Sequence, residues 1–124
     1  MANRDFKDVQ ALERELKIIA GRVLLTGGSA VSSVADGIGF TATKASDGDY
    51  WIYLDDKYTS LMYANATITA SGPDECFAYV VSHDVSGATP SVRFKFTDDD
   101  GNAQAFADGD EFSFLIVLKN SSVT

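Results

Sequence analysis

The clearest pattern of apolar and polar positions lies in the last third of the chain. Val92, Phe94 and Phe96 alternate with Arg93, Lys95 and Thr97, the period-two signature of a strand buried on one face. The run Asp98-Asp99-Asp100-Gly101-Asn102 turns the chain, and a short return strand is expected over residues 103–107. Phe112, Phe114, Ile116 and Leu118 then alternate with Ser113, Leu115, Val117 and Lys119. Both faces are apolar over residues 114–118, so this strand is expected to be central in its sheet or to face a neighbouring subunit.

Upstream, short apolar runs separated by turn dipeptides predict further strands over residues 37–44, 50–54, 61–70 and 75–83. Phe40, Ala42 and Lys44 share one face of the first of these. Ser46-Asp47-Gly48-Asp49 has hairpin chemistry, because Asp-Gly accepts left-handed backbone positions. The stretch from residue 5 to residue 17 lacks Gly and Pro, is rich in Ala, Leu, Glu, Lys and Arg, and predicts a helix. Val9, Leu12, Leu16, Ile19 and Val23 are spaced 3, 4, 3 and 4 apart, a heptad seam of about two repeats with Phe6 preceding it. A continuous apolar run over residues 18–26 competes with that seam as a strand, with the helix expected to stop near Gly21 or several residues earlier. The expected architecture is mainly β: an antiparallel sandwich or barrel of about seven strands with a short N-terminal helix. The expected division is a helical arm over residues 1–17 and a β-domain over 18–124.

The chain has 124 residues and a net charge of −8, unevenly spread. Residues 1–25 hold five basic and four acidic groups; the remainder holds five basic and fourteen acidic groups. An acidic β-domain is the wrong sign for counterion release from nucleic acid or for an anionic membrane surface, so neither partner is expected. No apolar run reaches the ~18 residues of a membrane span, and the first residues are too polar for a secretory signal.

Candidate chemistry is sparse. Cys76 and His83 are the only residues of their kinds, so no disulfide framework and no Cys/His zinc set is expected. His83-Asp84 invites an acid–base reading, but adjacent strand residues point apart and no Gly-x-Ser-x-Gly elbow is present. The acidic run from Asp98 fails the EF-hand test, since its sixth position is Ala103 and its twelfth is Gly109. A turn with solvated carboxylates explains it, as it does Asp55-Asp56 and Asp108-Gly109-Asp110-Glu111, although two acidic turns meeting at one end of the domain would offer calcium a weak site. Trp51 with Tyr50, Tyr53, Tyr58 and Tyr63 would serve as a sugar-stacking platform or as core and subunit interface. No catalytic residue, cofactor or metal ligand is assigned.

Gly39-Phe40-Thr41-Ala42-Thr43, then Gly48-Asp49-Tyr50-Trp51-Ile52-Tyr53-Leu54-Asp55-Asp56-Lys57-Tyr58, and a closing apolar strand into Asn120-Ser121-Ser122 together resemble small virion proteins of tailed bacteriophages. Capsid decoration (cement) proteins are the nearest in character. The resemblance covers roughly residues 18–123 and lies in strand order and turn dipeptides. It implies a non-enzymatic structural protein, often trimeric, made in the host cytoplasm and placed on the outer surface of the head with the major capsid protein as partner. A tail or fibre adaptor that binds a receptor is the alternative. For a homotrimer, the residues expected to make the self-association or capsid interface are Phe6, Val9, Leu12, Leu16, Ile19, Leu115 and Val117, the last two on the outer face of the final strand.

Overall fold

A computed structural model describes residues 16–25, 33–70 and 76–120. Within them the chain is mainly β, with eight strands. These are β1 (Leu16–Leu24), β2 (Ser33–Asp36), β3 (Phe40–Ser46), β4 (Asp49–Leu54), β5 (Ser60–Thr69), β6 (Phe77–Asp84), β7 (Ser91–Thr97) and β8 (Glu111–Lys119). They form two four-stranded sheets, ordered β2-β1-β8-β5 and β3-β4-β7-β6, and every pairing is antiparallel.

The strand that the sequence marks as apolar on both faces is central: β8 lies between β1 and β5 and is paired along its length on both sides. Its inward residues Phe112, Phe114, Ile116 and Leu118 are buried. Phe112 and Phe114 meet Phe40, Tyr50, Phe94 and Phe96 of the other sheet through ring contacts, such as Phe40 to Phe114 at 4.7 Å and Phe96 to Phe112 at 5.3 Å between centroids. Edge-to-face and tilted pairs of this kind place the positive edge of one ring on the negative face of the next, which adds to the gain from burying area.

The N-terminal reading changes where the described residues begin. Leu16 and Lys17, expected to end a helix, open β1 instead, and β1 pairs with β8 over nine residues from Leu16 opposite Lys119 to Leu24 opposite Glu111. A full ladder satisfies the backbone of β1, and long-range pairing overrides local helix propensity. Strand parity also dissolves the C-terminal half of the seam. Leu16 and Ile19 are three apart and therefore face opposite ways; Ile19 and Val23 are four apart and both face the core. Residues 5–15 of the expected helix, with Phe6, Val9 and Leu12, lie outside the described residues.

Two smaller expectations are also corrected. Residues 103–107 form no strand; Ala103 makes a single bridge to Thr97, and Phe106 drops into the core beside Phe96 and Tyr50. Gly21, read as a helix stop, lies mid-strand. A side chain there would meet the Phe40 ring within 2.6 Å and the Phe114 ring at 2.9 Å, so the glycine makes room for the aromatic pair. Gly21→Val is expected to destabilise the fold by about 1–3 kcal/mol through overpacking, measured as a lower urea midpoint at unchanged m-value.

Tyr50 is fully buried among Phe96, Phe106 and Phe112, and its hydroxyl has no hydrogen-bond partner. Burial, aided by Asp47 and Asp110, pushes its phenol up to about 12. The unfolded chain ionises near 10, so the folded state holds this proton more tightly. The resulting stability is whole below about pH 10 and is lost as pH rises towards about 12, an effect of roughly 2–3 kcal/mol. Tyr50→Phe is expected to abolish that alkaline loss while leaving neutral-pH stability equal or slightly higher, because it deletes an unsatisfied buried hydroxyl. Urea melts of both proteins at pH 8 and pH 11.5 measure it.

Candidate functional site

The outer face of the β2-β1-β8-β5 sheet is built by parity. Each inward residue of β1 and β8 has outward neighbours, and in these strands several are apolar. The registers align Ile18 with Val117 and Val117 with Tyr63, giving a row across β1, β8 and β5. The next row aligns Ala20, Leu115 and Asn65. Ile18 is 60% exposed, Tyr63 50% and Leu115 40%, with Met62 also exposed beside them. Large apolar side chains open to water in the middle of a sheet mark an interaction surface when they are contiguous.

Polar residues bound this patch. Arg22 donates from Nε to Asp36 at 2.9 Å and pairs through Nη1 with Glu111 at 3.0 Å, tying β1 to β2 and β8. Ser113 and Thr67 continue that row. At the other end Leu16 lies opposite Lys119. An apolar centre with a polar rim is the anatomy of a protein–protein contact.

Of the residues the sequence offered for an interface, Leu115 and Val117 lie on this face, and half-buried Leu16 lies at its end. Ile19 does not: it is buried between the sheets, because its odd spacing from Leu16 and its pairing with Ile116 turn it inward. Phe6, Val9 and Leu12 lie outside the described residues. Ile18 was missed, and Tyr63 was grouped with the other aromatics and not with Leu115 and Val117. Ile18 is the outward partner in the Ile18-Ile19 pair. Tyr63 follows a bulge between Leu61 and Tyr63 that resets the alternation of β5.

The outer face of the β3-β4-β7-β6 sheet carries a different group. Trp51 and Tyr53 stack with ring planes 10° apart and centroids at 5.8 Å, and the Arg93 guanidinium lies 5.0 Å from the Trp51 ring. Arg93 donates from Nε to Asp49 at 2.7 Å and through its second nitrogen to the other carboxylate oxygen. Such a fork-shaped pair fixes the guanidinium against the indole. The other tyrosines are dispersed. Tyr50 is core, Tyr63 lies on the opposite sheet, and Tyr58 packs half-buried against the core, where burial pushes its phenol up. Phe77, Tyr79 and Val81 are exposed along the edge strand β6.

The acidic and nucleophilic candidates serve local structure. One Asp98 oxygen accepts N–H groups from Asp100 and Asn102, each at 2.9 Å, so the carboxylate caps its own turn. Asp98, Asp99 and Asp100 are the one group of three carboxylates close enough to share an ion among the described residues. Asp84 accepts the N–H of Gly87, and His83 is exposed on β6. Cys76 packs against the core, and burial pushes its thiol up, away from the nucleophilic thiolate.

No family model, curated protein or solved structure matches the chain.

Proposed function

We propose that the chain is a non-enzymatic structural protein of a bacteriophage virion, built as a β-sandwich. Within that class we assign it to the capsid decoration proteins, which bind the outer surface of the assembled head. The observation that carries this reading is the outward apolar row of exposed Ile18, half-buried Val117 and exposed Tyr63, with exposed Leu115 beside it, lying across β1, β8 and β5 and bounded by polar residues. A surface of this kind joins subunits. The resemblance of the strand and turn pattern to small phage virion proteins, and the acidic charge, which suits an outer shell better than contact with packaged DNA, support the same reading.

The physical role is linkage. A ligand that binds only the mature shell stabilises it against internal pressure, and several modest contacts per oligomer add through multivalency. The oligomer proposed is a homotrimer, whose symmetry matches the local three-fold positions of a capsid lattice. The major capsid protein is the partner. A second reading, a tail or fibre adaptor that binds a receptor, draws on the Trp51–Tyr53 pair, since stacked aromatic faces bind sugar rings.

Copy number in purified particles separates the two. Stoichiometric staining in fixed proportion to the major capsid protein, as a repeating lattice requires, supports decoration. A handful of copies, retained on isolated tails, overturns it.

A further inference from the structure

We propose that β6 is a second self-association edge: two copies related by a two-fold axis pair their β6 strands antiparallel and join two β3-β4-β7-β6 sheets into one. The contact goes beyond the proposed trimer, because it uses a strand of the other sheet. Under the decoration reading it links one trimer to the next.

A sheet edge presents N–H and C=O groups that template another strand, and soluble chains protect such edges with charge, shortness or bulges. The edges of this sandwich are treated unequally. Strand β2 has four residues and carries Asp36, which Arg22 holds at 2.9 Å. Strand β3 carries Lys44, paired with Asp47 at 3.0 Å, and has a bulge between Lys44 and Ser46. Strand β6 has eight residues and pairs with β7 on one side; among the described residues no strand pairs with its other side. It holds no Lys, Arg, Pro or Gly, and its one acidic residue, Asp84, is its last. Phe77 is 56% exposed on it and Tyr79 48%. A long, apolar, uncharged edge is a pairing site.

The strand is complementary to itself. Opposite residues of an antiparallel pair share a face, so a strand that pairs with its own copy places one residue on the two-fold axis. With Ala78 there, Phe77 of each copy meets Tyr79 of the other on the outer face, and aromatic pairs of this kind stabilise a ladder. On the inner face Cys76 meets Val80, and both already pack, with Ala78, against the core. Placing Tyr79 on the axis instead would draw in Val81, which the bulge between Val80 and Ser82 leaves outside the ladder. Charge favours a second copy at this edge as well. Each chain carries −8, so copies repel, and residues 76–80 let two of them meet without setting acid against acid.

The contact is small. Five residues of strand span about 17 Å, and a stable interface takes about 800 Å² from each partner. Free copies therefore pair weakly, and copies held side by side on a surface pair through their high effective concentration.

Disulfide trapping in the full chain with Cys76→Ala tests the pairing and its register. One variant carries Phe77→Cys and a second Tyr79→Cys; both are confirmed as folded by circular dichroism, mixed and oxidised. A covalent dimer of the two different chains is expected to form at least about tenfold faster than a dimer of either variant alone, or of Thr43→Cys on the exposed face of β3, because only the first pair is held together. Equal rates for all of these overturn the proposal. Sedimentation gives a second reading without new cysteines. The unaltered chain is expected to gain mass reversibly as its concentration rises to about 1 mM, the range of a weak contact, and Tyr79→Lys, which restores a charge to the edge, is expected to abolish that gain. A gain that survives Tyr79→Lys, or none in the unaltered chain, also overturns it. Leu115→Asp is expected to leave the cross-link unchanged, so loss of the proposed trimer and loss of this pairing are read separately.

Discussion

Phe112→Ala is expected to remove about 3–5 kcal/mol of stability, a large share of the roughly 5–15 kcal/mol that a folded domain possesses. Phe112 is fully buried on the central strand and lies within 5.3 Å, centroid to centroid, of both Tyr50 and Phe96. Its ring therefore fastens β8 of one sheet to β4 and β7 of the other. Truncation leaves a cavity walled by other rings, and rings that are themselves held by edge-to-face contacts cannot collapse into it. Urea denaturation should show a large fall in midpoint, with a partly unfolded protein at 37 °C. A loss below about 1 kcal/mol would mean that the two sheets are not joined through this aromatic cluster.

The second large effect is expected on association and not on folding. Leu115→Asp or Ile18→Asp introduces a charge at the centre of the exposed apolar face. Neither side chain is needed by the core, so the fold should change by no more than about 0.5 kcal/mol. A carboxylate buried without a partner in an interface is strongly unfavourable, so the proposed trimer should dissociate at least a hundredfold more readily. Light scattering of the unaltered protein is expected to give about three times the 13.3 kDa chain mass, and either variant close to a single chain mass. Equal masses for variant and parent, at equal stability, would remove this face from the interface.

These expectations show where the sequence was informative. Strands β7 and β8 were legible because their side chains alternate cleanly, and the apolar second face made by Leu115 and Val117 left β8 either central or facing a neighbouring subunit, of which the pairing shows it central. The same doubled pattern made Leu115 and Val117 legible as surface candidates. The β1 segment was ambiguous because Leu16, Ile18, Ile19 and Val23 satisfy both a heptad and a strand. Only pairing with β8, far away in sequence, decides between them. That choice exchanges Ile19 for Ile18 on the outer face.

Bulges conceal the remainder. The irregularity between Leu61 and Tyr63 in β5 turns Leu61 towards the core and Tyr63 outward although they are two residues apart, and the one between Val80 and Ser82 in β6 leaves Val81 outside the ladder at the surface. Strand β2 went unread because Ser33-Val34-Ala35-Asp36 is too short and too polar to show a period; its pairing to β1 carries it. The Trp51–Tyr53 stack was readable as an i, i+2 pair on one strand face, but its fastening by Arg93 and Asp49 comes from neighbouring and distant pairing, with Arg93 opposite Trp51 on β7.

Electron cryo-microscopy of the virion proposed to carry this protein tests the central claim most directly. The account predicts three-lobed density on the outer surface of the head at local three-fold positions, repeated across the lattice, into which three copies of the two-sheet fold dock with the outer faces of β1, β8 and β5 turned towards one another. Density confined to the tail or its fibres, or single copies with that face turned to solvent, would contradict it.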